Sequence, residues 1–461
     1  MTYNLPKLVL EILEKFDKAG YQIYIVGGAV RDLLLGKKVE DWDFTTDAKP
    51  EEILKVIPKA FYNNKFGTVG LDTDLGIMEL TTMRKEGLYR DFRHPTQIDW
   101  TDKIEEDLAR RDFTVNAMGL RLRSDQSPEI IDPFDGKVDI KNKLIKAVGN
   151  PEKRFKEDAL RLIRAIRIAT QLEFDIDKET FTAIKENSRL LKEIAWERIR
   201  DELFKLLASV NPRLPSQSGA PGGQAYIGII KMREAGILQI ILPELEACFG
   251  IVQEGPKHDR IYDIGEHSLL SLKYCPSADP LTRLATLLHD VGKPNTMHTQ
   301  KDGNVTFYGH DVVGGKIVKI IGERLKLSKK QIEKLYILVR WHLFTVDENQ
   351  TDSAIRRFIK NIGIENIEDM MALRVGDRLG GGTQKAVSWR MKKFRERIDQ
   401  VLRKPFSITD LKVNGKDVME VLNIKPGPKV GKTLNQLFQE VLEDASKNKR
   451  GYLLARIKEL A

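Results

Sequence analysis

Two aspartates, one residue apart, follow a pair of glycines and an arginine near the start of the sequence. The stretch reads GGAVRDLLLGKKVEDWD over residues 27–43 and places Asp41 and Asp43 on a predicted strand. Residues at i and i+2 of a strand project from the same face, so both carboxylates would address one ligand. Paired oxygen ligands suit Mg²⁺, which completes its coordination with water and substrate phosphates. The spacing therefore predicts a magnesium site for a phosphate compound.

The glycines Gly27 and Gly28 open a predicted short helix that Gly36 closes. Free N–H groups and the helix dipole at such a start can hold a triphosphate, and Arg31 adds a bidentate clamp. A lone D-x-D pattern is more often a solvated turn. The glycine-arginine element just before it favours nucleotide binding instead.

The overall composition predicts an ordinary globular protein. The 461 residues, 41% hydrophobic and 31% charged, suit two to four domains. No window reaches the roughly 18 apolar residues of a membrane span, and two cysteines are too few for a disulfide framework, so we expect a cytoplasmic protein. The net charge of +9 lies mostly in residues 386–461, which hold 17 Lys and Arg against 9 Asp and Glu. This excess favours nucleic acid as a partner, although a solvated basic surface is the alternative.

Strand and helix patterns predict an α+β fold in five parts. They are a head with a small mixed sheet, an all-α neck, a Pro-, Gly- and Ser-rich linker, a helical body and a basic helical tail, at residues 1–150, 151–210, 211–226, 227–385 and 386–461. The motifs that could do chemistry lie in the head, the neck and the body.

Five sequence blocks, in this order along the chain, resemble the class II tRNA nucleotidyltransferases, the CCA-adding enzymes, which share their head with bacterial poly(A) polymerases. The blocks are VGGAVRDLLLG…DWDFTT, EEDLARRDFTVNAM, IIDPFDGKVDI, EDALRLIRAIRIA and WERIRDELFKLL. The resemblance implies that Asp41 and Asp43 bind the catalytic Mg²⁺ and that Gly28 and Arg31 bind the nucleotide. It also implies that Arg111 binds the triphosphate, and Glu79 on a neighbouring strand could be a third carboxylate.

The block EDALRLIR resembles the helix that selects the nucleotide. Asp158 and Arg161 are three residues apart on this predicted helix and can address one base edge together. Arginine donates to ring acceptors of cytosine or adenine, and aspartate accepts from the exocyclic amine, so CTP and ATP are selected and UTP and GTP rejected. Arg164 and Arg167 turn away around the helix and are predicted to contact phosphate or, alternatively, an acidic partner.

A basic loop with three aromatic side chains, RKEGLYRDFRHPTQ, spans residues 84–97. A flexible surface loop is one interpretation. Family members that complete the CCA end carry a comparable loop, and this favours addition of the terminal A.

A second cluster of metal-ligand types lies between residues 267 and 377, where five of the seven histidines fall. The pattern resembles the HD phosphohydrolase superfamily, whose ligands converge from several helices onto one or two divalent ions. The ligands implied are His267, His289, Asp290 and Asp377, with His310 and His342 as further candidates. Imidazole with carboxylate suits a transition metal such as Mn²⁺ or Ni²⁺, and Lys293 could hold a substrate phosphate. The alternative is a set of histidines kept for packing.

Together these features predict an enzyme that adds or repairs the 3′-terminal CCA of tRNA from CTP and ATP, binding the 3′ end and acceptor arm without a membrane. A metal-dependent phosphohydrolase domain would accompany it. A bacterial poly(A) polymerase, an enzyme adding only CC or only A, and a non-catalytic tRNA-binding protein are the alternatives.

Overall fold

The structure, a computed structural model, describes residues 3–62, 67–86, 98–123, 127–209, 220–254, 261–301, 303–346, 350–383, 388–402 and 408–460. The chain divides into two compact units. The first comprises Met1–Gly219, Gly223–Ala247 and Arg324–Lys326, and the second comprises Ala220–Gly222, Cys248–Glu323 and Leu327–Ala461.

The first unit begins with a seven-stranded sheet in the order β3-β4-β5-β2-β1-β8-β9. The strands of this unit are β1 (Ile23–Val26), β2 (Asp43–Thr46), β3 (Phe61–Tyr62), β4 (Thr68–Thr73), β5 (Gly76–Thr82), β6 (Arg84–Glu86), β7 (Ile98–Trp100), β8 (Gly119–Leu122), β9 (Pro128–Ile131), β10 (Leu144–Ile145) and β11 (Asp175–Ile176). Within the large sheet, β2 and β5 run parallel while the other pairs are antiparallel. The predicted small mixed sheet is confirmed.

Helices cover this sheet because their apolar residues recur at helical spacing. They are α1 (Lys7–Lys18), α2 (Gly28–Leu34), α3 (Pro50–Val56), α4 (Ile104–Ala109) and α5 (Gly136–Lys141). Val9, Ile12 and Phe16 of α1 are buried against one face of the sheet. Ile104 and Leu108 of α4 pack on the other face, over Tyr24 and Val26 of β1.

The neck and the helices after it complete the first unit. They are α6 (Pro151–Glu157), α7 (Leu160–Leu172), α8 (Lys178–Asn187), α9 (Trp196–Leu207), α10 (Gly223–Glu234), α11 (Leu238–Ile241) and α12 (Pro243–Glu246). The predicted linker 211–226 lies partly outside the described residues. Its predicted end is wrong by four residues, because α10 begins at Gly223. Gly228 allows this helix to pack closely on Leu206 and Thr170.

The second unit is helical apart from two short hairpins. Its strands are β12 (Val252–Glu254), β13 (Ile261–Asp263), β14 (His298–Thr299) and β15 (Val305–Thr306). Its helices are α13 (Ile264–Tyr274), α14 (Pro280–Leu288), α15 (Lys293–Thr296), α16 (His310–Arg324), α17 (Lys329–Arg340), α18 (Asp352–Ile362), α19 (Ile367–Gly380), α20 (Trp389–Leu402), α21 (Gly415–Leu422), α22 (Pro428–Glu443) and α23 (Arg450–Glu459). The last three helices of the tail share a small core of their own around Val418, Leu437 and Leu453.

The α+β class is therefore confirmed, with the sheet in the head and helices after it. Within the described ranges, no helix combines the length and apolar content that crossing a bilayer requires. Cys248 and Cys275 are free and buried.

Candidate active site and metal centre

The head carries three carboxylates on one part of its sheet. Asp43 is the first residue of β2 and is the register partner of Glu79 on β5. Burial and the nearby charge of Asp41 raise the pKa of Asp43, although the Arg111 guanidinium opposes them. Partial burial, followed by the charges of Asp43 and Asp41, raises the pKa of Glu79. The three carboxylates thus repel one another, a condition that a divalent cation relieves.

The predicted placement of both aspartates on one strand is wrong for Asp41. Strand β2 begins at Asp43, because its antiparallel neighbour β1 ends opposite it at Val26. Asp41 lies just before the strand and is exposed, and Trp42 between the two aspartates is buried in the core of the head. Asp41 and Asp43 therefore precede and follow, in the sequence, a tryptophan whose side chain is held in the core of the head.

Gly27 lies beside the carboxylates in a conformation that favours glycine, with φ of +71°. A Cβ atom there would lie 3.1 Å from Nη1 of Arg111 and 3.5 Å from Oδ2 of Asp43. The Nε atom of Arg111 is buried without a hydrogen-bond partner among the described residues. The turn between β1 and α2 thus brings backbone, guanidinium and carboxylate together, as predicted for a phosphate and metal site.

Arg31 is held by partners on two sides. It donates to both carboxylate oxygens of Asp32, at 2.9 and 3.1 Å, and to Oδ1 of Asn116 at 2.8 Å. Asn116 in turn donates to Asp112 at 3.2 Å. Arg31 therefore links the start of α2 to the RRDFTVNAM segment.

The nucleotide-selecting pair has a different placement from the one predicted. Asp158 lies between α6 and α7 rather than on a helix, because its carboxylate accepts the N–H of Leu160 at 3.1 Å and so begins α7. Arg198 of α9 donates to the two oxygens of Asp158 at 2.8 and 3.3 Å. Arg161 instead donates to Glu157 at 2.9 Å. The two residues each have their own ionic partner in this structure.

Arg161 also connects the neck to the triphosphate side of the head. It donates to the carbonyl of Arg110 at 2.9 Å, next to Arg111, and to the carbonyl of Arg154 at 3.1 Å. Three of its five N–H groups are used within the described residues, so two are left for a ligand.

Arg164 and Arg167 are already engaged with buried carboxylates. Arg164 donates to Asp112 at 2.6 and 3.0 Å, and Arg167 donates to Glu202 at 2.5 Å. The Arg164 guanidinium holds the pKa of Asp112 far below its usual range although burial opposes it. The predicted phosphate contacts of these two arginines would have to compete with these ion pairs.

The sequence reasoning missed Asn116, Asp112, Glu202 and Arg198, which hold the predicted residues in place. All four lie in the blocks RRDFTVNAM and WERIRDELFKLL. A search for opposite charges between those blocks and the neck would have found Asp112, Glu202 and Arg198. The uncharged Asn116, whose partner Arg31 lies on α2, gives no such signal.

The predicted basic loop 84–97 lies mostly outside the described residues. Its stem is the pair β6 and β7, and Lys85 forms a salt bridge of 2.8 Å with Glu106 of α4. The remaining predicted basic and aromatic residues of the loop, from 87 to 97, lie outside the described ranges.

The second unit brings all six predicted metal-ligand residues together. They come from five places in the chain: His267 on α13, His289 and Asp290 after α14, His310 at the start of α16, His342 after α17, and Asp377 on α19. All but Asp377 are buried, which is uncommon for residues of these types without a ligand or a partner.

The two oxygens of Asp290 face different histidines. Oδ2 lies 3.6 Å from Nε2 of His267 and 3.3 Å from Nε2 of His289. Oδ1 lies 3.4 Å from Nε2 of His310 and 3.7 Å from Nε2 of His342. This arrangement offers two adjacent cation positions that share one carboxylate.

Asp377 lies at the cation position beside His267 and His289, and backbone carbonyls orient three of the four histidines. Oδ1 of Asp377 lies 3.3 Å from Nε2 of His267. The Nδ1 atoms of His289, His310 and His342 each lie within 2.8 Å of the carbonyl three residues earlier, which leaves Nε2 for a metal. The Nε2 atoms of His310 and His342 have no hydrogen-bond partner in the described part of the chain. Burial and the neighbouring His289 lower the pKa of His342 to about 3, so its imidazole is neutral and able to bind metal.

Lys293 lies against the same cluster. Its Nζ donates to Oδ2 of Asp290 and to Oε1 of Gln253, both at 2.6 Å. The ammonium group therefore lies beside the carboxylate that both groups of histidines share.

Comparisons with known proteins match most of the chain to tRNA nucleotidyltransferase and HD domain families. The family model described as Poly A polymerase head domain matches residues 23–146, HD domain matches 264–366, and tRNA nucleotidyltransferase domain 2 matches 323–457. The chain is 33% identical to the CCA-adding enzyme of Ligilactobacillus salivarius, over 99% of this chain and 98% of that protein. It is 33% identical to the A-adding tRNA nucleotidyltransferase of Deinococcus radiodurans, over 90% of both. The solved structure of the Bacillus stearothermophilus CCA-adding enzyme in complex with CTP is 26% identical, with a TM-score of 0.69 over 98% of this chain and 96% of that one.

Proposed function

This chain belongs to the family of CCA-adding enzymes, and from that premise we propose that it adds the 3′-terminal CCA of tRNA from CTP and ATP. One observation carries the assignment of the active site. Asp41, Asp43 and Glu79 lie beside the Gly27 turn and Arg111, so metal ligands and triphosphate donors meet at one place. The tRNA substrate implies a cytoplasmic enzyme, and the basic tail is suited to the acceptor arm.

The reaction is a nucleotidyl transfer. The 3′-oxygen of the tRNA forms a bond to the α-phosphorus of CTP or ATP and loses its proton, while the bond from that phosphorus to the departing pyrophosphate breaks. The hard oxygen donors Asp41, Asp43 and Glu79, with two raised pKa values, fit Mg²⁺. When bound, Mg²⁺ supplies charge neutralisation and lowers the pKa of the attacking hydroxyl.

The protein's own donors position the triphosphate. Arg111 has a buried Nε–H without a hydrogen-bond partner among the described residues, and α2 begins directly after Gly27, beside the Arg111 guanidinium. Arg31 is fixed by Asp32 and Asn116, so it contributes a positive charge without losing side-chain entropy on binding.

Base selection depends on the hydrogen-bonding capacity that Asp158 and Arg161 retain beyond their contacts within the described residues. Asp158 spends part of its acceptor capacity on Arg198 and Leu160, and a carboxylate has about four lone-pair sites, so it can still accept from an exocyclic amine. Arg161 retains two N–H groups for the ring acceptors of cytosine or adenine. A carbonyl in place of the amine would face the Asp158 carboxylate, which disfavours uracil and guanine.

The direct test uses tRNA lacking its last three nucleotides. We expect addition of two C residues with CTP alone, no addition with ATP alone, and CCA with both. Addition of A only to tRNA already ending in CC would identify an A-adding enzyme, and a continuing run of A would identify a poly(A) polymerase. No incorporation of either nucleotide would leave a tRNA-binding protein.

We propose a second activity for the cluster around Asp290, a metal-dependent phosphohydrolase. Its imidazole and carboxylate ligands fit Mn²⁺ or Ni²⁺. The buried Nε2 atoms of His310 and His342, which have no hydrogen-bond partner among the described residues, fit an ion better than a packed core. Bound ions would supply Lewis-acid activation of water and of a phosphoester. The substrate class implied by the family resemblance is a 2′,3′-cyclic phosphate or a phosphate at a damaged tRNA end.

Metal analysis of purified protein tests this second proposal. We expect up to two transition-metal ions per chain and hydrolysis of a 2′,3′-cyclic phosphate in their presence. Protein that retains no metal and hydrolyses no such ester with Mg²⁺, Mn²⁺, Ni²⁺ or Co²⁺ would assign these histidines to packing.

A further inference from the structure

A row of register partners extends from the candidate catalytic carboxylates to the edge of the sheet. Asp43 on β2 is opposite Glu79 on β5, Glu79 is opposite Gly70 on β4, and Gly70 is opposite Phe61 on β3. Register partners on neighbouring strands project from the same face. Phe61 therefore lies on the face that carries the site, two strands from Glu79.

The ring of Phe61 packs over Gly70 of β4, the strand between Phe61 and Glu79. A Cβ atom on Gly70 would lie 2.6 Å from Cζ and 2.8 Å from Cε2 of the Phe61 ring. Only glycine leaves the space for the ring at this position. Even so, 44% of Phe61 is exposed, so this aromatic residue borders the site without being part of the core.

The geometry of nucleotidyl transfer indicates which substrate binds over β5, β4 and β3. Gly27 and Arg111, the triphosphate donors, lie on the β1 side of Asp43. In nucleotidyl transfer the attacking oxygen and the leaving pyrophosphate are roughly in line on opposite sides of the phosphorus. The 3′ end of the tRNA must therefore approach over β5, β4 and β3, where Phe61 lies.

We propose that Phe61 is a stacking surface for the base of the last tRNA nucleotide, the one whose 3′-hydroxyl attacks. This inference rests on the proposed CCA addition. The terminal base changes at each step, from the nucleotide before CCA to the first C and then to the second C. Stacking suits such a substrate because every base has an aromatic face, whereas hydrogen-bond recognition would favour one base.

Steady-state kinetics of Phe61→Leu and Phe61→Trp test the proposal. Leucine keeps an apolar cover over Gly70 but removes the ring. We expect Phe61→Leu to raise the KM for tRNA lacking CCA by about tenfold, the scale of one base–aromatic contact. The KM for CTP should change by less than about twofold, and Phe61→Trp should retain the wild-type KM for tRNA. The matched control is Tyr62→Leu, because Tyr62 is the next residue of β3, is 51% exposed and projects from the other face.

A second substrate separates stacking from a structural role. With a tRNA whose terminal nucleotide lacks its base, wild type and Phe61→Leu should have the same KM, and the wild-type KM should itself rise by about tenfold. An unchanged KM in Phe61→Leu, or a difference that persists on the abasic tRNA, would overturn the proposal. A change of oligomeric state without a change in KM would assign Phe61 to an interface between copies. If wild type adds no nucleotide at all, the proposed function fails instead.

Discussion

Replacing Asp43 with asparagine should remove activity and at the same time stabilise the metal-free protein. The amide keeps the shape of the side chain but removes a charge that burial and Asp41 disfavour, as the raised pKa of Asp43 indicates. It also removes a ligand that Mg²⁺ requires. Activity and stability should therefore change in opposite directions, which is typical of a site built for a cation.

The magnitude follows from the sheet geometry. Register partners such as Asp43 and Glu79 lie on strands about 4.8 Å apart. Two unit charges at about 5 Å repel by about 0.8 kcal/mol in water and about 3 kcal/mol at an effective dielectric constant of about 20. Because solvent reaches part of Glu79 and screens this repulsion, we expect the free energy of unfolding to rise by about 1 kcal/mol. For a unit of this size this corresponds to a rise in Tm of about 2–4 °C.

The pH dependence of the free energy of unfolding independently predicts that Asp43→Asn stabilises the metal-free protein. A carboxyl group whose pKa is raised by folding destabilises the folded state wherever it is ionised, and this cost disappears as the pH falls through the raised pKa. The stability difference between Asp43→Asn and wild type should thus be largest at neutral pH and vanish in mild acid. Addition of Mg²⁺ should stabilise wild type and leave the variant unchanged.

Differential scanning fluorimetry with and without Mg²⁺, together with CTP incorporation into trimmed tRNA, measures these effects. We expect at least a 10³-fold loss of incorporation, since metal stabilisation of the transition state is worth roughly several kcal/mol. Asp74→Asn is the control, because Asp74 is an exposed carboxylate in the turn between β4 and β5. A lower Tm in metal-free Asp43→Asn, or more than a few per cent of wild-type activity, would refute the reasoning.

Three other variants test the remaining assignments. Asp158→Asn should raise UTP incorporation relative to CTP by about tenfold, because the amide can donate to the O4 of uracil, and an unchanged preference in an active variant would contradict the template role. Arg84→Gln with Lys85→Gln should slow addition of the final A more than that of the two C residues, whereas equal slowing would indicate general tRNA binding. His289→Ala with Asp290→Ala should abolish metal retention and phosphoester hydrolysis while CTP addition continues, and loss of both activities would show that the cluster only maintains the fold.

Local sequence patterns were sufficient for the parts of the site that depend on local geometry. The glycine pair predicts the turn before α2, since a positive φ at Gly27 is a property of that residue type. The ligand types from His267 to Asp377 predicted one cluster, because few other reasons bring so many histidines into one segment.

Tertiary structure decided which residues face one another. Strand register placed Glu79 beside Asp43 and Phe61 over Gly70, and no local pattern contains the register between strands distant in the chain. Packing of α9 against α7 gave Asp158 its partner Arg198. The sequence alone determined which chemical groups are present and which elements carry them. Their distances and partners depended on long-range pairing, because hydrogen bonds and ion pairs form between groups that folding brings together from distant parts of the chain.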